Sequence, residues 1–251
     1  MQRLINEFGD LLDSQALEKT RQWWENYMKK VIPFRGVGIP VIRSQLTKFY
    51  LEKEMDSWPV ETQFDFALRF LQGKYAEDKL SGILFIQMFL LDKLDYTYTL
   101  PQYKKLFTND LIFDWNVCDW FCVRVLGPTI ERNENACAKW ISGWRGAENI
   151  WQSRASLVAF VYQADNKEYY PMIKKSAEVL IRQKERFRKT AVGWMLREIA
   201  HHDRVFVLDF LKENLEFFTR ETLSNVLKHF DQDEKKEWFK LFRSLMVKNK
   251  N

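Results

Sequence analysis

The chain has 251 residues, 46% of them hydrophobic and 29% charged, with a formal net charge of +5. That length can bury a sizeable core and the composition excludes a disordered chain, while so modest a positive charge does not by itself mark a nucleic-acid binder. Only 9 Gly and 6 Pro leave few turn residues for a many-stranded β protein, so an all-α fold is expected.

The opening stretch, MQRLINEFGDLLDSQ, is amphipathic and acidic rather than basic followed by an apolar core, so it does not read as a secretory signal. Apolar residues then recur at helical spacing: Leu4, Phe8, Leu11 and Leu12; Phe64, Phe66, Leu68, Phe70 and Leu71; Ile83, Phe85, Met88, Phe89 and Leu91. The last group is the longest apolar stretch; it is too short for a membrane span and is interrupted by Gln87. An intracellular, cytoplasmic protein is expected, with Cys118, Cys122 and Cys137 as reduced, small core residues.

Breaks are expected near Gly36 to Pro40, Ser57 to Pro59, Thr97 to Pro101, Gly127 to Pro128, Ser142 to Glu148, Asp165 to Pro171 and Glu213 to Thr219. They delimit segments of roughly 12 to 18 residues, the size of ordinary helices. Pairs of segments recur at roughly 35 to 45 residues, close to the period of HEAT and armadillo units. The expected architecture is therefore a right-handed-type α-solenoid of HEAT/armadillo-like helical repeats, one domain over residues 1–251, whose curvature makes a concave basic groove. An irregular helical bundle is the alternative. Thr219, Glu221 and Thr222 predict a helix running to Phe230, and a last helix from Glu234 to Val247 reads as a capping unit.

Three segments pair a tryptophan with a charged residue on one helix face. In DWNVCD, Trp115 and Asp119 are four apart and share one face of a helix. A Trp beside a carboxylate suits a flat cation, and it equally suits a core Trp next to a hydrogen-bonded Asp. In NIWQSRA, Arg154 follows Trp151 by three and could bind a phosphate or pair with Asp119. In TAVGWMLREIA, Gly193 inside a helical pattern costs about 1 kcal/mol relative to Ala, which the close approach of another helix or a ligand beside Trp194 would offset. Arg197 shares the face of Trp194, where it either extends a cationic rim or pairs with Glu198 or Asp203. Arg182, Lys184, Arg186, Arg188 and Lys189 crowd the approach to that helix. Arg188 and Lys189 oppose the helix dipole there, which reads as an anion-binding edge against the plainer reading of a solvated connection.

The segments PFRGVGIPVIR, which ends on Arg43, DWNVCD followed by VLG, NIWQSRA and AVGWMLREIA, in that order, resemble the DNA alkylation repair family of HEAT-like-repeat DNA glycosylases, the AlkD type, over roughly residues 20 to 230. The resemblance implies that Trp115 and Trp194 flank the lesion-bearing nucleotide, that Asp119 is the catalytic carboxylate, and that Arg154 contacts the DNA backbone. It implies excision of cationic N7-alkylguanine and N3-alkyladenine from duplex DNA held in the groove, with the base left near the stack. Arg43, Arg188, Lys189 and Arg197 are the further candidate DNA contacts. The chain departs from the family at GVGIP, where a polar residue often precedes the proline; Ile39 has no side-chain donor for a phosphate.

No cofactor and no metal are expected. His201 and His202 are adjacent and diverge on a helix, His229 is remote, and neither a phosphate-binding glycine loop nor a dinucleotide motif is present. The expected partner is double-stranded DNA containing alkylated bases, bound by a monomer and without a membrane. The competing readings are a non-catalytic DNA-binding relative and a helical-repeat protein-interaction scaffold.

Overall fold

The computed structural model describes residues 1–248, and every regular element among them is helical. None of these helices is long and apolar enough to cross a membrane. The all-α expectation holds. The chain divides into two compact units, the first Met1–Thr129 and the second beginning at Ile130.

The first unit holds α1 (Gln2–Asp13), α2 (Glu18–Tyr27), α3 (Ile39–Glu52), α4 (Val60–Leu71), α5 (Ala76–Phe85), α6 (Tyr96–Thr108) and α7 (Trp115–Phe121). Its centre is α5, all ten residues of which are buried, packed against α3, α4 and α7. Gly82 lets α4 come close, since a Cβ there would lie 2.6 Å from the Ala67 carbonyl oxygen.

A run of polar residues on so buried a helix needs partners. The Glu77 carboxylate accepts the backbone N–H groups of Arg35 at 2.9 Å, Gly36 at 2.8 Å and Val37 at 3.1 Å. Asp78 pairs with the Arg35 guanidinium at 2.8 Å, and Lys79 donates to the Leu71 carbonyl at 2.7 Å. The GVGIP loop is thus tied to α5, with Gly36 at φ +101 supplying a left-handed turn that a side chain would strain.

The second unit contains α9 (Ile150–Val158), α10 (Tyr170–Arg182), α11 (Arg186–Ile199), α12 (Arg204–Asn214), α13 (Arg220–Val226) and α14 (Gln232–Lys248); α8 (Gly127–Ser142) contains the division between the units. Here α11 is central, touching α9, α10, α12 and α13. The close approach expected at Gly193 is that of a helix: its Cβ would sit 3.1 Å from the Thr222 carbonyl and 3.2 Å from the Thr222 methyl on α13. Within each unit helices contact near neighbours in the chain, as stacked helical repeats do.

Most expected breaks stand where the sequence puts them. Pro40 and Pro171 sit in the first turns of α3 and α10, where a missing N–H costs nothing, and Thr219 caps α13 by accepting from the Thr222 N–H at 3.1 Å. The helix predicted to reach Phe230 ends at Val226 and tightens to a 3-10 turn over Leu227–His229. The last helix starts at Gln232, two residues before the expected Glu234.

Two expected breaks are absent. Pro101 lies inside α6, whose true start is the Asp95 cap, so only one early backbone bond is lost. Gly127 and Pro128 continue the helix, because a wide π turn over Cys122–Leu126 precedes them and opens the backbone where the proline ring would otherwise meet a carbonyl. The break in this stretch falls at Glu134, which has φ 48 and ψ −138.

Candidate functional site

The Asp114 side chain caps α7 by accepting the Val117 N–H at 3.0 Å, which starts the helix at Trp115. Asn116, Val117 and Cys118 turn into the core, while Trp115 and Asp119 are half-buried on the opposite side. The shared face read from the spacing of four is therefore present. The Trp115 ring and Tyr27 of α2 form a T-shaped pair at 5.6 Å between centroids. Burial pushes the Asp114 carboxyl above its ordinary pKa, outweighing its backbone hydrogen bonds and the nearby Lys79 ammonium.

The π turn that follows α7 carries Arg124, stacked over Trp120 at 5.2 Å, and a second π turn packs against it over Ile86–Leu90. Gln87 of that second turn accepts a hydrogen bond from the Arg43 guanidinium at 2.8 Å. Burial, and then the charge of Arg124, pull the Arg43 pKa down. Arg43 is a half-buried cation with a neutral partner, an arrangement that favours an incoming anion.

In the second unit Trp194 is half-buried on α11 and donates its indole N–H to Glu198 at 3.0 Å. Arg197 grips the same carboxylate through Nε at 3.1 Å and Nη2 at 2.7 Å and reaches Asn225 of α13 at 2.9 Å. Of the two partners the sequence offered Arg197, Glu198 is the one used. Arg154 is only 5% exposed; its Nη1 donates to the Phe187 carbonyl at 2.6 Å and the Thr190 hydroxyl at 3.2 Å, tying α9 to the first turn of α11.

Arg188 and Lys189 have stabilising partners that outweigh their position at the positive end of the helix dipole. Glu185 caps α11, so a carboxylate stands at the helix start beside them. Arg188 donates to the Ser153 hydroxyl at 2.7 Å and to the carbonyls of Ala147 and Glu148 at 3.0 and 2.6 Å. Lys189 donates to the Ile181 carbonyl at 2.7 Å, near the end of α10, and to the Phe217 carbonyl. Both cations close helix ends and loops, which offsets the unfavourable dipole.

Three groups went unread in the sequence. Glu198 orients Trp194, a role visible in hindsight in the W-x-x-x-E spacing. His201 and His229, remote in sequence, have ring centroids 4.9 Å apart because the end of α11 packs near the turn after α13. Trp23 and Tyr27, in the RQWWENY run, add an aromatic face next to Trp115. Among the described residues no group of three or more His, Cys, Asp or Glu is placed to hold a metal ion.

The model of the DNA alkylation repair enzyme family matches residues 10–230. The chain belongs to this family. A solved structure of similar fold, a predicted DNA alkylation repair enzyme from Enterococcus faecalis, superposes with a TM-score of 0.75 at 19% identity, covering 86% of this chain and 97% of its own. That likeness carries the fold. No protein of curated function matches significantly. For a DNA alkylation repair family member, half-buried Trp and carboxylate side chains on one helix face and a clamped Trp on another helix are the features with chemistry to offer.

Proposed function

We propose that this chain is an AlkD-type DNA glycosylase that excises cationic N7-alkylguanine and N3-alkyladenine from duplex DNA. The observation that carries this is the α7 face, where Trp115 and Asp119 stand together, half-buried, above a fully buried opposite side. Family membership supports a role in alkylation repair.

Alkylation gives the base a positive charge and makes it a good leaving group without protonation. The task left to the protein is to stabilise the positive charge that moves onto the deoxyribose as the glycosidic bond breaks, and to position water. Asp119 is assigned both roles. A carboxylate about 4 Å from a unit positive charge contributes roughly 4 kcal/mol at an effective dielectric near 20, worth about a thousandfold in rate. Trp115 and Trp194 are assigned cation–π contacts of roughly 0.5 to 2 kcal/mol each, which favour cationic lesions over neutral bases.

Arg43, Arg154, Arg188, Lys189 and Arg197 are proposed to bind the duplex backbone. Arg43 and Arg197, half-buried and joined to side chains at the protein surface, offer direct phosphate contacts. Arg154, Arg188 and Lys189 combine any such contact with the carbonyl bonds that hold α11 in place.

The test is incubation with duplex DNA methylated at N7 of guanine and N3 of adenine, followed by measurement of released base. The wild-type chain should release 7-methylguanine, and Asp119→Asn should bind DNA while releasing it at least about a hundredfold more slowly. Equal rates would remove Asp119 from the mechanism. Binding without release by the wild-type chain would leave a DNA-binding protein of this family.

A further inference from the structure

The helix α2 has no buried residue, yet it carries two tryptophans and a tyrosine. Trp24 accounts for its attachment, stacking on Phe34 at 5.6 Å, with Glu25 accepting the Phe34 N–H at 3.3 Å. Trp23 and Tyr27 remain, one turn apart, stacked on each other at 5.2 Å with 12° between their planes. They are 57% and 55% exposed. Trp24 stands nearly perpendicular to both rings, at 4.8 Å from Trp23 and 5.9 Å from Tyr27, and Trp115 meets Tyr27 at 5.6 Å, yet more than half of each ring's residue stays open to solvent.

The charges around this face favour an anionic strand. The acidic groups of α2 are engaged, Glu18 by Arg21 and Gln22 and Glu25 by the Phe34 N–H. Directly after the helix, Lys29 and Lys30 take left-handed backbone conformations at φ 52 and φ 58, a costly pair for residues other than glycine. Both side chains are exposed, and neither ammonium has an acceptor among the described residues. A flat aromatic pair followed within three residues of Tyr27 by two exposed cations matches a nucleobase and its phosphate, where a protein partner's apolar face would match the rings alone.

We propose that the Trp23–Tyr27 stack is a subsite for an unpaired nucleobase of the bound DNA, with Lys29 and Lys30 holding the adjoining phosphates. This rests on the DNA-repair reading of the Trp115 face given above. A base stacked on Trp23 extends an aromatic cluster that already joins Trp23 to Tyr27 and Tyr27 to Trp115.

The test uses two duplexes of equal length with a central 2-aminopurine, either paired with thymine or unpaired opposite an abasic analogue. Affinity is read by anisotropy and stacking by quenching of the 2-aminopurine emission. The wild-type chain should bind the unpaired duplex roughly 5- to 150-fold more tightly, with quenching. Trp23→Ala should bring the two affinities together and abolish the quenching, and Trp23→Phe should recover part of both. A preference that survives Trp23→Ala, or equal wild-type affinities, overturns the subsite. If the same wild-type chain still releases 7-methylguanine, the glycosylase reading stands without it; if it binds neither duplex, both fall.

Discussion

Trp194 donates its indole N–H to Glu198 Oε1, one turn further along α11, and Arg197 donates to that same oxygen. The ring of a proposed catalytic tryptophan is thereby fixed by a charged acceptor, itself anchored through Arg197 to Asn225. Glu198→Ala removes the acceptor and leaves the indole N–H to water. We expect a loss of about 1 kcal/mol of stability and a shifted tryptophan emission, both restored in large part by Glu198→Gln, which keeps an acceptor oxygen. Unchanged emission in Glu198→Ala would show that packing alone holds the ring.

Arg154 and Lys189 test whether α11 supports DNA binding by charge or by shape. Each proposed phosphate contact contributes about 0.9 to the slope of log K against log salt. Arg154→Ala and Lys189→Ala should weaken binding to any duplex and reduce that slope. They should also destabilise the fold by about 1 to 3 kcal/mol, since the carbonyls of Phe187, Ile181 and Phe217 lose donors. Lower stability with an intact slope would assign both residues to the fold alone.

The buried cap Asp114 gives a pH signature. Its folded pKa is raised above the ordinary 3.8, chiefly by burial. A raised folded value means the native state holds the proton more tightly than the unfolded chain. The contribution is complete below the unfolded pKa and is lost as pH rises through the folded one. Asp114→Asn keeps a capping side chain without the charge. The variant should therefore gain on the wild type as pH rises from about 4 toward neutrality, measured by urea denaturation in steps of pH. A constant difference across that range would contradict the raised pKa.

The thiols should be silent in the native state. Cys118, Cys122 and Cys137 are all buried, and burial pushes the Cys137 thiol up to about 12. At pH 8 an aromatic disulfide reagent should leave the folded chain unmodified and label all 3 cysteines after denaturation. Rapid native labelling of any one would place it at the surface.

Helix rhythm, caps and the Trp115–Asp119 face were legible because each depends on residues a few positions apart. Gly193 was legible too, since a glycine in a strong helix points to a close neighbour, here Thr222. The misread prolines show the limit of local signals: Pro101 sits just inside a helix whose cap lies six residues earlier, and Pro128 is accommodated by a π turn with no sequence mark. Partners distant in the chain stayed hidden. Lys189 with Phe217, His201 with His229, and Tyr27 with Trp115 depend on which helices meet, and that is decided by the packing of whole faces.

The Glu77 clamp on Arg35, Gly36 and Val37 also constrains the order of assembly. Its ligands precede it by about forty positions, so α1 and α2 leave the ribosome well before the carboxylate that fixes the loop after them. Pairing of α4 with α5 is a local event and buries Glu77 only if those three N–H groups arrive to receive it. The amino-terminal helices, with their aromatic face, are therefore expected to lock last in their unit. A chain truncated before Ala76 should leave them unanchored, however well each forms by itself.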